Sequence, residues 1–155
     1  MGQTAEIHSA TDWLPMLRRY FAVVLLGNLV WEIAHLPLYT LWFSATLSEK
    51  AAAVAHCTGG DLLIAGACLL FALVVAGDVR WPKVGSRRVA VLTVVTGVGY
   101  TAYSEWMNTV VRASWAYAVS MPVLPVVAIG LTPLLQWVVV PCTAFWLIRR
   151  HIRVS

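Results

Sequence analysis

Four long runs of mostly apolar residues, separated by short polar segments, dominate the pattern along the chain. They cover about residues 20–42, 57–77, 89–108 and 133–148. A helix that crosses a bilayer needs about 20 consecutive apolar residues. The pattern therefore predicts an all-α, polytopic membrane protein, folded as a four-transmembrane-helix bundle in a single domain over residues 1–155.

The last uncharged stretch, Ala113–Ile148, is too long for one span and barely long enough for two. Its first part, Trp115–Gly130, contains Pro122, Pro125 and aromatic residues of the kind that favour a membrane interface. We interpret Trp115–Gly130 as an outer re-entrant or interfacial segment that caps the bundle, and we place the fourth span after it.

Proline and glycine residues inside the runs predict local geometry. Pro37 has no backbone N–H, so we expect the first helix to bend there and to leave the carbonyl of Ile33 without its helical donor. Gly97 and Gly99 are small enough for a neighbouring helix to approach the third run closely.

Composition supports the membrane interpretation, and charge orients the chain. Of the 155 residues, 60% are hydrophobic and 12% are charged, whereas a soluble domain has about 25% charged residues. The net charge is +4, but most basic residues lie at the ends of the runs rather than on a surface that would bind nucleic acid. These are Arg18, Arg19, Arg80, Lys83, Arg87, Arg88, Arg149, Arg150 and Arg153. Basic residues favour the cytoplasmic side. We therefore expect a bacterial cytoplasmic (inner) membrane protein with both termini in the cytoplasm, and segments 44–55 and 112–130 facing the periplasm.

Polar residues inside the runs lie at one level, in the outer third of the predicted bundle. Residues spaced by three or four share a helix face. Two such faces consist of Asn28, Glu32, His35 and Tyr39 in the first run, and of Thr101, Glu105, Asn108 and Arg112 in the third. Asp61 in the second run and Gln136 in the fourth lie at the same level. An ionisable side chain at the bilayer centre costs about 2.5–3.5 kcal/mol, so this grouping indicates a functional site.

The residue types at this level favour a metal site. Glu32 and His35 form a Glu-x-x-His pair, which places a carboxylate and an imidazole on one helix face, as in helical-bundle metal centres. His56, Asp61 and Glu105 would complete a mononuclear site for a divalent transition metal: zinc, iron, manganese or copper. We expect the site to serve metal handling or metal-assisted chemistry on a membrane-soluble substrate. The residues expected around it are Asn28, Tyr39, Tyr103, Asn108, Arg112 and Gln136.

Other interpretations of the same residues stay open. Glu32 and Glu105 could act without metal, as catalytic proton donor and acceptor toward a lipid or isoprenoid substrate. The polar groups could instead form a structural network in which Arg112 pairs with Glu105 or Asp61. A transport or channel role is a further alternative, as is that of a non-catalytic subunit. So small a bundle exposes much surface, which allows a homo-oligomer or a larger membrane complex.

Four strings resemble segments of a group of small bacterial polytopic membrane proteins. They are Trp31-Glu-Ile-Ala-His-Leu-Pro-Leu-Tyr39, His56-Cys-Thr-Gly-Gly-Asp61, Tyr103-Ser-Glu-Trp106 and Gly130-Leu-Thr-Pro-Leu-Leu-Gln-Trp137. The resemblance covers most of the chain and implies a membrane fold. It implies no activity, because none is attached to that group.

A second similarity is to membrane carotenoid-modifying and sterol-isomerising enzymes. It is carried by Glu105 followed by Trp115-Ala-Tyr117, and by Glu32 followed by Pro37. In those enzymes carboxylates and tryptophans inside a small bundle handle a carbocation. The similarity therefore implies acid–base chemistry on a lipophilic molecule.

Overall fold

The computed structural model describes the backbone of residues 3–154 and the side chains of residues 13–150. Within that part of the chain the fold is mostly helical. Its helices are α1 (Gln3–His35), the short α2 (Leu41–Ser44), α3 (Leu47–Ala76), α4 (Ser86–Trp106) and α5 (Leu131–Val154). A small antiparallel ladder pairs β1 (Val123–Leu124) with β2 (Ile129–Gly130), with Val123 opposite Gly130.

The four long helices form a ring. Helices α1 and α4 each pack against both α3 and α5. Gly97 of α4 lies against the ring of Trp137 on α5, whereas Gly99 faces open space. Of the two glycines expected to admit a neighbouring helix, only Gly97 does so.

Three helices are long and apolar enough to cross a membrane, namely Trp13–Leu38, Leu47–Ala76 and Leu131–Arg150. Much of their apolar surface points outward, as at Val30, Leu63 and Val74. Helix α4 is also long, but polar residues in its second half lower its hydropathy. The structure therefore supports a helical membrane protein through three helices rather than the four expected.

Among the helix ends that differ from the predicted runs, two have a clear local cause. Helix α1 stops at His35 and a 3-10 turn follows over Leu36–Leu38, because Pro37 cannot donate to the helical ladder. Helix α3 begins at Leu47, so most of the segment 44–55 is helix rather than loop. A capping box fixes that start: Thr46 N–H donates to Glu49 at 2.7 Å and Glu49 N–H donates to Thr46 Oγ1 at 3.3 Å.

The segment between α4 and α5 contains no helix after the π-helical turn at Met107–Val111. Its backbone is tied to the end of α1. Thr40 N–H donates to the Ala116 carbonyl at 3.0 Å, and Ala118 N–H donates to the Leu38 carbonyl at 2.8 Å. These bonds hold the segment across one end of the bundle.

An apolar core fills the opposite half of the bundle, near the helix ends that carry the arginines. Tyr20, Leu69, Phe145 and Trp81 are all buried there. Trp81, in the connection between α3 and α4, meets Trp13 edge to face with 5.1 Å between ring centroids. Lipid tails are as apolar as these side chains, so close packing rather than escape from water holds this half together.

Candidate functional site

The polar face predicted for α1 is buried inside the bundle. Asn28, Glu32 and His35 are each at least nine-tenths buried. His35 Nε2 lies 3.2 Å from Glu32 Oε2, close enough for a hydrogen bond along the helix face. The His35 ring also meets Tyr39 edge to face, with 5.4 Å between centroids. Three- and four-residue spacing on α1 brings Asn28, Glu32 and His35 together, and Tyr39 follows just after the 3-10 turn.

Gln136 is the residue that joins this face to the other helices. It lies in the second turn of α5 and is buried. Its amide nitrogen lies 3.1 Å from Asn28 Oδ1, 3.1 Å from Glu32 Oε1 and 2.8 Å from Asp61 Oδ2. An amide NH₂ has two hydrogens, so two donors are shared among three acceptors. Sequence reasoning placed Gln136 at the edge of the site, but the structure places it at the centre.

The carboxyl groups lie close to one another. Asp61, which is half-buried, and Glu32 both accept a hydrogen bond from the Gln136 amide nitrogen, so their carboxyl groups lie side by side. Glu105 lies close enough to His35 and Glu32 for their charges to interact. Among the described side chains, no Arg or Lys pairs with Glu32, Asp61 or Glu105. Apart from His35 beside Glu32, the described side chains therefore bring no positively charged partner to these carboxyls.

Glu105 is bound from the irregular segment. Tyr117 donates its hydroxyl hydrogen to Glu105 Oε2, and the N–H of Gly130 donates to the Tyr117 hydroxyl at 2.9 Å. Burial is the main reason why the pKa of the Tyr117 hydroxyl lies above its usual range, and the hydrogen bond to Glu105 raises this pKa further. Tyr117 therefore keeps its proton and acts as the donor. We call the residues Asn28, Glu32, His35, Asp61, Glu105, Tyr117 and Gln136 the polar cluster.

Tyr117 belongs to the polar cluster but lies outside the helices, so helical spacing could not predict its position. It pairs with Tyr39 through an isolated antiparallel bridge, and the two rings lie 5.5 Å apart between centroids. The available sequence signal was weak: an aromatic residue beside prolines in an uncharged stretch. That signal also fits an ordinary interfacial aromatic.

Some polar atoms beside these groups have no partner. The Nδ1 atom of His35 and the hydroxyl oxygen of Thr58 are buried and make no hydrogen bond. Buried polar groups normally find a partner. These two groups can therefore bond to a ligand that carries its own hydrogen-bonding group.

Several residues expected at the site lie outside the polar cluster. His56, Tyr103 and Arg112 are exposed. Asn108 donates to the carbonyl of Ser104, in its own helix, at 2.8 Å. In the part of the chain with described side chains, no three His, Cys, Asp or Glu groups converge so as to hold a metal ion.

The π-helical turn explains why the face of α4 is not continued. An i to i+5 bond joins the N–H of Arg112 to the Met107 carbonyl at 2.8 Å. Such a turn contains one extra residue and shifts the phase of whatever follows. Thr101 and Glu105, before the turn, are buried as the spacing predicts, whereas Arg112 is turned away from the bundle.

Comparison with known proteins gives no match: neither a family model, nor a curated protein, nor a solved structure is similar to this chain.

Proposed function

We propose that this chain is a membrane enzyme that moves protons on a lipophilic substrate, with the polar cluster as its acid–base site. Glu32 and Glu105 are the proton donor and acceptor in this proposal. The substrate class is a lipid or isoprenoid that enters from the membrane. Proton delivery at one position and removal at another rearranges such a molecule without oxidant, reductant or metal.

The observation that carries the proposal is the convergence of the Glu32 and Asp61 carboxyl groups on one amide nitrogen, that of Gln136, at 3.1 and 2.8 Å. Two carboxylates held side by side repel each other, which favours the state in which one of the pair holds a proton. The pair therefore stores a proton at a defined position in the bundle.

Glu105 supplies the complementary group. Its Oε2 atom accepts a hydrogen bond from the Tyr117 hydroxyl, so Oε2 is a proton-accepting position in this geometry. A carboxyl pair that holds one proton and a separate accepting carboxyl are what a proton donor and a proton acceptor need. The unpartnered Nδ1 of His35 would then bind a polar group of the substrate.

The proposal includes a membrane arrangement. Helices α1, α3, α4 and α5 each span, α4 being the least apolar because it carries the Glu105 side of the site. The segment 112–130 lies at the periplasmic surface as a lid over the polar cluster. Both termini lie in the cytoplasm of a bacterial inner membrane.

Infrared spectroscopy tests the shared proton. The purified full-length protein should show the C=O stretch of a protonated carboxylic acid, and Glu32→Gln and Asp61→Asn should each remove it. Glu49→Gln is the matched control, because Glu49 is an exposed acid at the start of α3. Absence of the band from the wild-type protein, or its persistence in both variants, contradicts the proposal.

Lipid extracts test the reaction. Cells that express the wild-type chain should contain a lipid, quinone or isoprenoid species that is missing from cells expressing Glu105→Gln, while Glu49→Gln should behave as wild type. Identical extracts from all three would favour a structural network or a non-catalytic subunit.

A divalent transition metal is a second candidate, favoured by the free Nδ1 of His35 beside Glu32. Zinc, iron, manganese or copper would then bind after the hydrogen bonds of the polar cluster open. Elemental analysis of protein purified without chelator, compared with Glu32→Ala and His35→Ala, distinguishes the two. Stoichiometric metal that both variants lose would support the metal site.

A further inference from the structure

A cavity of about 810 Å³ lies at the opposite end of the bundle from the polar cluster. It is formed where α3 ends, α4 begins and α5 approaches its own end. Arg87, Arg88 and Arg149 line it. Lys83 also lines it, and apolar side chains, among them Val91 and Leu92, form one wall. The cavity therefore combines a strongly basic rim with an apolar wall.

We propose that this cavity binds the phosphate group of an anionic lipid, with the acyl chains lying along the apolar wall. Basic pockets between spanning helices on the cytoplasmic side are suited to anionic headgroups. The cavity is also at the right height, since the candidate spans end at Ala76 and Arg150 on either side of it. A phosphate there would lie at the level of lipid headgroups.

The charge balance supports an anionic ligand. The nearest acid in the connection between α3 and α4 is Asp78, which accepts hydrogen bonds from the Arg80 side chain at 3.0 and 3.2 Å. Those bonds hold the pKa of Asp78 below its usual range, so it is ionised and its charge is matched by Arg80. Arg87, Arg88 and Arg149 form no ion pair with a described side chain.

The backbone adds donors on the same side. Helix α4 starts after Gly85, whose φ of 74° lies in the left-handed region that glycine adopts without steric cost. No side chain caps the helix there. Gly85 and Ser86 both line the cavity, so the first N–H groups of α4 lie beside the arginines. Backbone donors at a helix N-terminus favour a phosphate oxygen.

Arg150 provides a matched control for Arg149. The two residues are adjacent on α5, but Arg150 lies over the ring of Trp146, 5.5 Å from its centroid, and does not line the cavity. A general attraction of the basic surface for anionic lipid would involve both arginines equally. Recognition inside the cavity would involve Arg149 alone.

Native mass spectrometry of the purified full-length protein tests the proposal, with phosphatidylglycerol, phosphatidylcholine and inorganic phosphate as probes. We expect Arg149→Gln to weaken phosphatidylglycerol binding about fivefold, because one basic residue near an anionic lipid contributes about 1 kcal/mol. Arg87→Gln should have a similar effect, and Arg150→Gln should leave the affinity at the wild-type value. Thermal unfolding of each variant checks that the fold is retained.

The other outcomes separate the alternatives. Equal affinity for phosphatidylglycerol and phosphatidylcholine, or an equal loss in Arg149→Gln and Arg150→Gln, overturns the proposal. Inorganic phosphate that binds as tightly as phosphatidylglycerol, with the same dependence on Arg149, overturns the lipid as source and assigns the cavity to free phosphate. Weak binding of inorganic phosphate beside tight binding of the lipid supports the proposal in full.

Discussion

Replacing Gly97 by alanine should push α4 and α5 apart. A Cβ atom built at Gly97 would fall on the ring of Trp137, 2.7 Å from Cζ3 and closer still to Cε3. Ordinary van der Waals contact begins at 3.4 Å. Trp137 is 3% exposed, so its rigid fused ring has little room to move. The helix backbone must shift to accommodate one methyl group.

Gly99→Ala is the matched control, because the same substitution two residues further along α4 meets nothing within 4 Å. Replacing glycine by alanine inside a helix gains about 0.5–1 kcal/mol from backbone entropy, and this gain is common to both sites. Overpacking costs about 1–3 kcal/mol. The difference in unfolding free energy between the two variants isolates the clash and should be about 1–3 kcal/mol, with Gly97→Ala the less stable.

Unfolding by sodium dodecyl sulfate in mixed micelles, followed by tryptophan fluorescence and circular dichroism, measures this difference. Equal unfolding free energies for Gly97→Ala and Gly99→Ala would refute the close packing of α4 on α5. The result bears on the proposed four-span arrangement, because α4 is the long helix whose hydropathy alone does not make it a candidate span.

Two further predictions concern contacts of the site, and a third concerns the orientation expected from the basic residues. Gln136→Leu should lower the unfolding free energy by about 1–3 kcal/mol in the same micelle titration, since it leaves buried acceptors without donors. Thr143→Val is the control and should have little effect, because it removes only an exposed hydrogen bond within its own helix. Tyr117→Phe should speed amide hydrogen exchange in β2, because the N–H that bonds the Tyr117 hydroxyl loses its acceptor. The exposed Tyr103→Phe should leave that exchange unchanged. Reporter fusions at Lys83 and at the C-terminus should both read cytoplasmic, and a periplasmic signal from either would contradict the proposed orientation.

The helices were predictable because their signals are local. Apolar runs and three- and four-residue spacing depend on neighbouring residues alone, so the buried face of Asn28, Glu32 and His35 could be deduced from spacing. The start of α3 also had a local signal, namely Thr46 followed three residues later by Glu49. Hydropathy did not predict this start, because α3 begins before the most apolar part of the helix.

The interior of the site was less predictable because it depends on contacts between distant parts of the chain. The hydroxyl of Tyr117 reaches Glu105 only because backbone hydrogen bonds tie the irregular segment to the end of α1. Arg112, expected near the site and paired with Glu105 or Asp61 in the alternative structural network, has no such pair among the described ion pairs, because a π-helical turn shifts it away. His56 lies five residues before Asp61 on α3, whereas residues that share a helix face are three or four apart. Its side chain therefore points in a different direction and is exposed.

The energetic cost of the polar cluster supports the proposed chemical role over a purely structural one. Hydrogen bonds between helices in a membrane contribute about 0.6 kcal/mol each on average, whereas an ionisable group in a span costs about 2.5–3.5 kcal/mol at the bilayer centre. The apolar half around Tyr20, Trp81 and Phe145 packs closely without such groups. If the helices only had to pack against one another, apolar side chains along their whole length would be sufficient. Under the proposed function, Glu32→Gln should therefore leave the unfolding free energy nearly unchanged while abolishing the proposed reaction. A large loss of stability without any change in lipid extracts would instead favour a structural network.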